Sequence, residues 1–188
     1  MLACALLYSA ILLGPWGWLK AWANLTSLPH WTVYAAAFLA ANLLALPGLF
    51  WLTTFAARRI ARLQAPVKRL FIDYAYSLVP LGLTGWMAFT VGFVFVNGSY
   101  ALSVLSDPFG WGWDLFGTRA VPWTPFWPGL MTGLQVGLLL VGLVFSIVTA
   151  YRIARQHAQT HTQAWQSTLP LSSFVASVTV AFLWLSLG

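Results

Sequence analysis

The chain has 188 residues, of which 60% are apolar and only 6% are charged, with a net charge of +6. A water-soluble domain of that composition would lack a polar surface, so membrane lipids are the predicted surroundings and the first predicted partner. Nucleic acid is not predicted as a partner, because it requires basic residues gathered on a soluble face.

Five apolar runs follow one another along the chain, and crossing a ~30 Å hydrocarbon core takes about 20 residues. They predict an all-α integral membrane protein that forms a single transmembrane domain of about five helices. The predicted spans are residues 2–23, 31–56, 70–96, 126–151 and 169–188. No basic residue precedes the first run, so we expect a helix bent at Pro15 rather than a cleaved signal sequence.

The basic residues predict the orientation, because cytoplasmic loops retain Lys and Arg during insertion. Seven of the nine lie in two loops: Arg58, Arg59, Arg62, Lys68, Arg69, Arg152 and Arg155. Loops 57–69 and 152–168 are therefore predicted to be cytoplasmic and loop 97–125 external. With five spans, the amino terminus would lie inside and the carboxyl terminus outside, and the expected location is a bacterial inner membrane.

The predicted external loop is rich in aromatic residues and in prolines, which exclude a long helix. One interpretation is an interfacial hairpin, because Trp suits the headgroup zone of a bilayer. The other is a docking surface for a partner subunit, on which aromatic residues would act as anchors. The candidate interface residues are Phe109, Trp111, Trp113, Asp114, Trp123 and Trp127. The sequence leaves both interpretations open.

A stripe of small residues marks the fourth predicted span. Gly129, Gly133 and Gly137 recur every four residues and therefore share one helix face. Such a doubled GxxxG pattern lets another helix backbone approach closely. We predict that this face packs within the chain rather than against a partner.

Few residues in the predicted spans can carry chemistry. His30 is predicted at the external start of the second span, whereas His157 and His161 belong to a cytoplasmic loop, so one haem cannot join them. No carboxylate or thiol is expected near the His157–His161 pair, and no metal site is predicted. Cys4 is the only cysteine, which excludes an internal disulfide. The chain is not predicted to be an enzyme by itself, and it has no predicted catalytic residue.

One acidic residue lies near the cytoplasmic end of the third span. Asp73 follows Arg69 by four residues, so an ion pair at the start of a helix is one interpretation. The alternative is a site for a quinone headgroup that uses Asp73, Tyr74, Tyr76 or His30. Quinone or lipid is therefore the only bound group that we consider.

The segment from Tyr74 to Phe126 reads YAYSLVPLGLTGWMAF and later NGSYALSVLSDPFGWGWDLFGT. It resembles the hydrophobic carboxyl-terminal region of bacterial membrane-bound polyferredoxin proteins, which transfer electrons through 4Fe-4S clusters. The clustered cysteines of that family are missing here, where Cys4 stands alone. The resemblance implies a membrane anchor that works beside redox subunits.

Together these features predict a non-catalytic accessory subunit of a respiratory or other electron-transfer complex, with membrane and redox subunits as partners. A small transporter or channel is the first alternative. It is favoured by spans bent at Pro47 and Pro80 and opposed by the lack of a charge at mid-span. A quinone-handling redox subunit is the second alternative.

Overall fold

A computed structural model describes residues 2–12 and 28–187, and every regular element within these ranges is a helix. The helices are α1 (Leu2–Leu12), α2 (Leu28–Ile60), α3 (Val67–Ser106), α4 (Pro128–His157) and α5 (His161–Leu187). Helices α2 to α5 are long and apolar enough to cross a membrane, so the all-α prediction is confirmed for the described residues, with four candidate spans. The predicted first span is described only as α1, because its residues 13–23 lie outside the described part.

Helix α2 contains a π-helical turn at Ala41–Ala45, directly before Pro47. Proline lacks an N–H group and crowds the preceding turn, and a π turn is one way for a helix to accommodate it. The Nδ2 of Asn42 donates to the carbonyl of Phe38 at 3.0 Å, and its Oδ1 accepts from Cys4 Sγ at 3.4 Å. Asn42 therefore joins α1 to this irregular turn.

Helix α2 ends in a left-handed residue, Arg62, whose φ is 51°. The N–H of Leu63 donates to the carbonyl of Arg58 at 3.1 Å, and that of Arg62 to Arg59 at 3.4 Å, which is the Schellman pattern. Glycine is usual at this position, since the left-handed conformation costs other residues about 1 kcal/mol. The buried side chain of Leu63 closes the motif against the core.

Helix α3 is longer than predicted, with 40 residues. At 1.5 Å per residue it extends for about 60 Å, roughly twice the thickness of a hydrocarbon core. The predicted external loop, 97–125, is thereby replaced by a shorter one, 107–127. The sequence Asn97-Gly98 reads as a helix end, but the Asn97 side chain donates back to the carbonyl of Phe93 and the helix continues.

Small residues of α3 form the seam on which α1, α4 and α5 pack. The buried positions of its regular α-helical part are Leu81, Gly82, Gly85, Ala88, Gly92, Ser99 and Ser106. A Cβ atom added at Gly92 would lie 2.5 Å from Nε2 of Gln135, and one at Gly85 would lie 3.1 Å from the ring of Phe182. Close helix approach therefore depends on the glycines of α3.

The predicted packing stripe of α4 points elsewhere. Gly129, Gly133 and Gly137 are exposed, and a Cβ added at any of them would meet no described atom within 4 Å. Helix α4 packs on α3 through Gly142 instead, where an added Cβ would collide with Oγ1 of Thr84. The expectation that the stripe packs within the chain is wrong for the described residues, because the opposite face of α4 is the buried one.

The described helices α2 to α5 have two distinct ends. The end of α2, the start of α3 and the end of α4 come together, and the seven basic residues named above lie there; we term it the basic end. At the opposite end, loop 107–127 joins α3 to α4, and we term this loop the aromatic cap.

Candidate functional site

The aromatic cap folds back along the last turns of α3. The N–H of Phe126 donates to the carbonyl of Phe95 at 2.8 Å, and the N–H of Thr124 donates to Oγ of Ser99 at 3.0 Å. Thr118 Oγ1 in turn donates to a carbonyl of α3 at 2.8 Å. The cap is therefore attached along the side of α3 and does not form a hairpin independent of it.

Ser106, the last residue of α3, organises the start of the cap. Its buried hydroxyl donates to Oδ1 of Asp114 at 2.9 Å and accepts from the N–H groups of Phe116 at 3.1 Å and Thr118 at 3.3 Å. Its carbonyl accepts from the N–H of Leu115 at 3.2 Å. One serine thus fixes residues 114–118.

Two carboxylates and one guanidinium complete the network of the cap. Asp107 accepts the N–H groups of Trp111 at 2.8 Å and Gly112 at 2.9 Å. Arg119 lies 3.9 Å from Asp107 and donates through Nη1 to the carbonyl of Gly112 at 2.8 Å. The N–H of Arg119 and then the Ser106 hydroxyl hold the pKa of Asp114 below its ordinary value. Asp114, predicted at a partner interface, therefore has a role inside the cap.

Three of the predicted interface residues form a cluster on the outside of the cap. The rings of Phe109 and Trp111 stack with centroids 5.0 Å apart, and Trp113 packs edge-on against both. Phe109 and Trp111 are 64% and 69% exposed. Trp123 and Trp127 are also exposed but lie further along the cap. The structure thus gathers Phe109, Trp111 and Trp113 into one apolar surface, which we term the aromatic cluster.

The basic end contains an interaction that the sequence did not suggest. The Nε2 of His157 lies 2.8 Å from Oδ2 of Asp73, and the Nε of Arg69 lies 3.9 Å from the same oxygen. The expected Asp73–Arg69 pair is present, but the expectation that no carboxylate lies near His157 is wrong. Antiparallel packing of α3 and α4 brings the two residues together. Among the described residues, no group of three His, Cys, Asp or Glu side chains is placed to hold a metal.

A polar pocket of about 150 Å³ lies beside this pair, between the turn after α2 and the start of α5. Its lining residues are Arg62, Leu63, Gln64, Ala65, His157, Gln159 and Gln163. The side chain of Gln163 caps α5 by accepting the N–H of Gln159 at 3.1 Å, while the N–H of Gln163 donates to Thr160. Two stretches of sequence, 62–65 and 157–163, thus meet at one pocket.

The four residues predicted to contact quinone do not share a site. Tyr74 is buried in the core and its hydroxyl donates to Ser167 at 3.2 Å, whereas Tyr76 is exposed. Asp73 is engaged with His157 at the basic end. His30 begins α2 at the opposite end of the molecule.

An apolar pocket of about 330 Å³ lies instead among α1, α2, α3 and α5. The ring of Phe50 occupies its wall, with centroids 5.3 Å from Phe71 and 5.6 Å from Phe174. Pro47, just after the π turn, also lines it. None of the four residues predicted to contact quinone lines this pocket. In the sequence, Pro47 indicated a bend in the second span. It did not show which helices would enclose a pocket.

Comparisons with protein-family models, with curated proteins and with solved structures found no match to this chain. The likeness of residues 74–126 to polyferredoxin proteins therefore remains a resemblance in the sequence.

Proposed function

We propose that the protein is a non-catalytic integral membrane subunit that binds a partner through its aromatic cluster, within a complex of the respiratory or other electron-transfer type. The observation that carries this proposal is the exposure of three contacting aromatic rings on a loop held by its own hydrogen bonds. Contiguous exposed apolar surface of this kind is typical of interaction sites.

The position of the cluster along α3 favours a protein partner over the bilayer. From Asp73 to Phe95 the helix rises by about 33 Å, which matches the thickness of a hydrocarbon core. The 11 residues from Val96 to Ser106 then extend α3 by a further ~16 Å. With the core placed between Asp73 and Phe95, the aromatic cluster projects beyond the headgroups, where its rings would otherwise face water.

The hydrogen bonds within the cap prepare the cluster for binding. Asp107 fixes the backbone at Trp111 and Gly112, and Ser106 fixes residues 114–118. A surface that is already ordered loses less conformational entropy when a partner binds. Rigid aromatic side chains in such a position are the usual anchors of protein interfaces.

The exposed glycine stripe supplies a second surface for the same partner. Gly129 lies two residues after Trp127, so the stripe continues from the cap along the outer face of α4. A transmembrane helix can approach closely there, because a Cβ at Gly133 or Gly137 would meet no described atom. The partner that fits both surfaces has a transmembrane helix and an external domain.

The electron-transfer part of the proposal is supported by the resemblance of residues 74–126 and assigns the redox centres to partner subunits. The proposed location is a bacterial inner membrane with the basic end in the cytoplasm, since Lys and Arg are retained on that side. Under this orientation the aromatic cap faces outward, and a first span at residues 2–23 would place the amino terminus inside.

The test is purification of the tagged full chain in a mild detergent, followed by mass spectrometry of copurifying proteins and an absorption spectrum. The amount of partner that copurifies with the double variant W111A/W113A should fall by at least about tenfold, because interface anchors contribute about 2 kcal/mol or more each. Trp165→Ala is the control, since Trp165 is exposed near the start of α5, at the basic end opposite the cap. Equal recovery of the partner with both variants would contradict the proposal.

A second candidate, quinone handling, is favoured by the apolar pocket beside Phe50. Its lining is apolar throughout, which suits an isoprenoid or acyl chain better than a polar headgroup. Solvent extraction of the purified protein should then yield quinone, and Ala75→Phe, which fills the pocket, should reduce the amount. Wild-type protein that carries no quinone would remove this candidate.

A further inference from the structure

The polar pocket at the basic end has the surroundings of an anion site. Seven Lys and Arg residues lie at this end of the molecule, against one carboxylate, Asp73. That carboxylate is paired with His157 and Arg69 and does not line the pocket. No acidic residue is among the described lining residues, and Arg62 is the one Lys or Arg among them.

Arg62 is the charged residue best placed to bind a ligand in the pocket. It lines the pocket from the left-handed position of the Schellman motif, with φ at 51°. Glycine would adopt that conformation without cost, whereas arginine is strained there. The residue in this strained conformation therefore lines the pocket and carries a guanidinium group.

The other polar lining residues supply further donors. Gln163 uses its Oε1 to accept from Gln159, which leaves the carboxamide N–H groups of Gln163 outside that bond. Gln64 and Gln159 also line the pocket and carry carboxamide groups. By volume, the pocket is roughly ten times what one water molecule requires, so it has room for a small polyatomic anion.

We propose that this pocket binds a phosphate-type oxyanion, with Arg62 as the charged ligand and the glutamine carboxamides as neutral donors. Guanidinium groups match the geometry of phosphate oxygens, and charge-assisted hydrogen bonds of this kind are the strong ones. Two sources share this chemistry: the headgroup of an anionic phospholipid, which basic pockets at the ends of membrane helices bind, and free phosphate.

The experiment measures binding to the purified full chain with two probes at constant ionic strength. The first probe is phosphatidylglycerol, whose binding is compared with that of phosphatidylcholine by native mass spectrometry. The second probe is inorganic phosphate, whose binding is measured as a shift in the thermal unfolding temperature. Arg62→Gly should weaken binding by at least about tenfold. It should leave the unfolding temperature without ligand unchanged or higher, because glycine relieves the left-handed strain.

Arg59→Gln is the control with the same loss of charge. Its guanidinium lies over the ring of Phe55 at 5.2 Å and does not line the pocket, so binding should change by less than about threefold. Binding of phosphatidylglycerol alone would identify the lipid as the source of the phosphate group. Binding of both probes would show that the pocket also takes free phosphate. Failure of both probes to bind, or equal weakening by the two variants, would overturn the proposal.

Discussion

The imidazole of His157 and the carboxylate of Asp73 lie 2.8 Å apart, although 84 residues separate them in the chain. This contact joins the last turn of α4 to the first turns of α3 and closes the basic end of the bundle. Arg69 approaches the same carboxylate oxygen from within α3. The Asp73 carboxylate therefore has one partner in each helix, Arg69 in α3 and His157 in α4. The contact with His157 holds the two helix ends in register.

Asp73→Asn and His157→Gln should each lower the thermal stability of the purified protein. Because both side chains are partly exposed, we expect a coupling of about 0.5–1.5 kcal/mol between them. A double-mutant cycle on unfolding in detergent measures this coupling. Strictly additive effects would mean that the two residues do not interact.

Gly142→Ala and Gly133→Ala place the same methyl group on opposite faces of α4. The first should destabilise the isolated chain by about 1–3 kcal/mol, because its Cβ would collide with Thr84. The second meets no described atom and should be neutral or slightly stabilising, since Ala favours a helix. Thermal unfolding of both variants distinguishes the two faces, and equal destabilisation would show that Gly133 also packs within the chain.

Gly133→Leu tests the same stripe as a docking surface. A larger side chain there should leave the isolated chain folded but keep a partner helix away from α4. The expected result is a normal unfolding temperature together with loss of the copurifying protein. Retention of the partner would show that the stripe faces lipid alone.

Ser106→Ala should loosen the start of the aromatic cap. The variant loses the bond to Asp114 and two bonds from the backbone of Phe116 and Thr118. Limited trypsin digestion should then cut after Arg119 several times faster. Ser103→Ala is the control, because its hydroxyl makes one long bond of 3.4 Å in the same region. Identical cleavage rates for both variants would contradict the role of Ser106.

Acid should also loosen the cap, through Asp114. Its pKa is lowered in the fold by the Arg119 N–H and the Ser106 hydroxyl, so its ionised form contributes to the stability of the cap. That contribution is complete above the ordinary carboxyl pKa and is lost as the pH falls below about 4 through the lowered value. The protection factors of residues 114–119 against hydrogen exchange, corrected for the intrinsic rate at each pH, should fall over this range. In Asp114→Asn this titration should be missing, and an unchanged acid transition would exclude Asp114 as its cause.

Composition and charge predicted the class of fold without any tertiary information. Long apolar runs in a bilayer must be helical, since only internal hydrogen bonds can satisfy their backbone, and α2 to α5 follow that rule. The clustering of Arg and Lys predicted a cytoplasmic side, and in the structure the Asp73–His157 contact brings the two basic segments to one end of the described helices. The aromatic cap was predicted as a loop, but its start was placed ten residues too early. Asn97-Gly98 reads as a helix end, whereas the Phe126 N–H donates to the carbonyl of Phe95 and the cap packs beside a helix that continues to Ser106.

The four long apolar helices could be predicted from hydrophobicity alone, because a long apolar run in lipid must be helical. The faces on which these helices meet depend on packing between distant parts of the chain and could not be predicted in that way. The regular spacing of Gly129, Gly133 and Gly137 favoured their face in the sequence, whereas packing uses the single Gly142 on the opposite face. The Asp73–His157 contact and both pockets likewise join residues far apart in the chain, and their positions follow from helix register rather than from any local pattern.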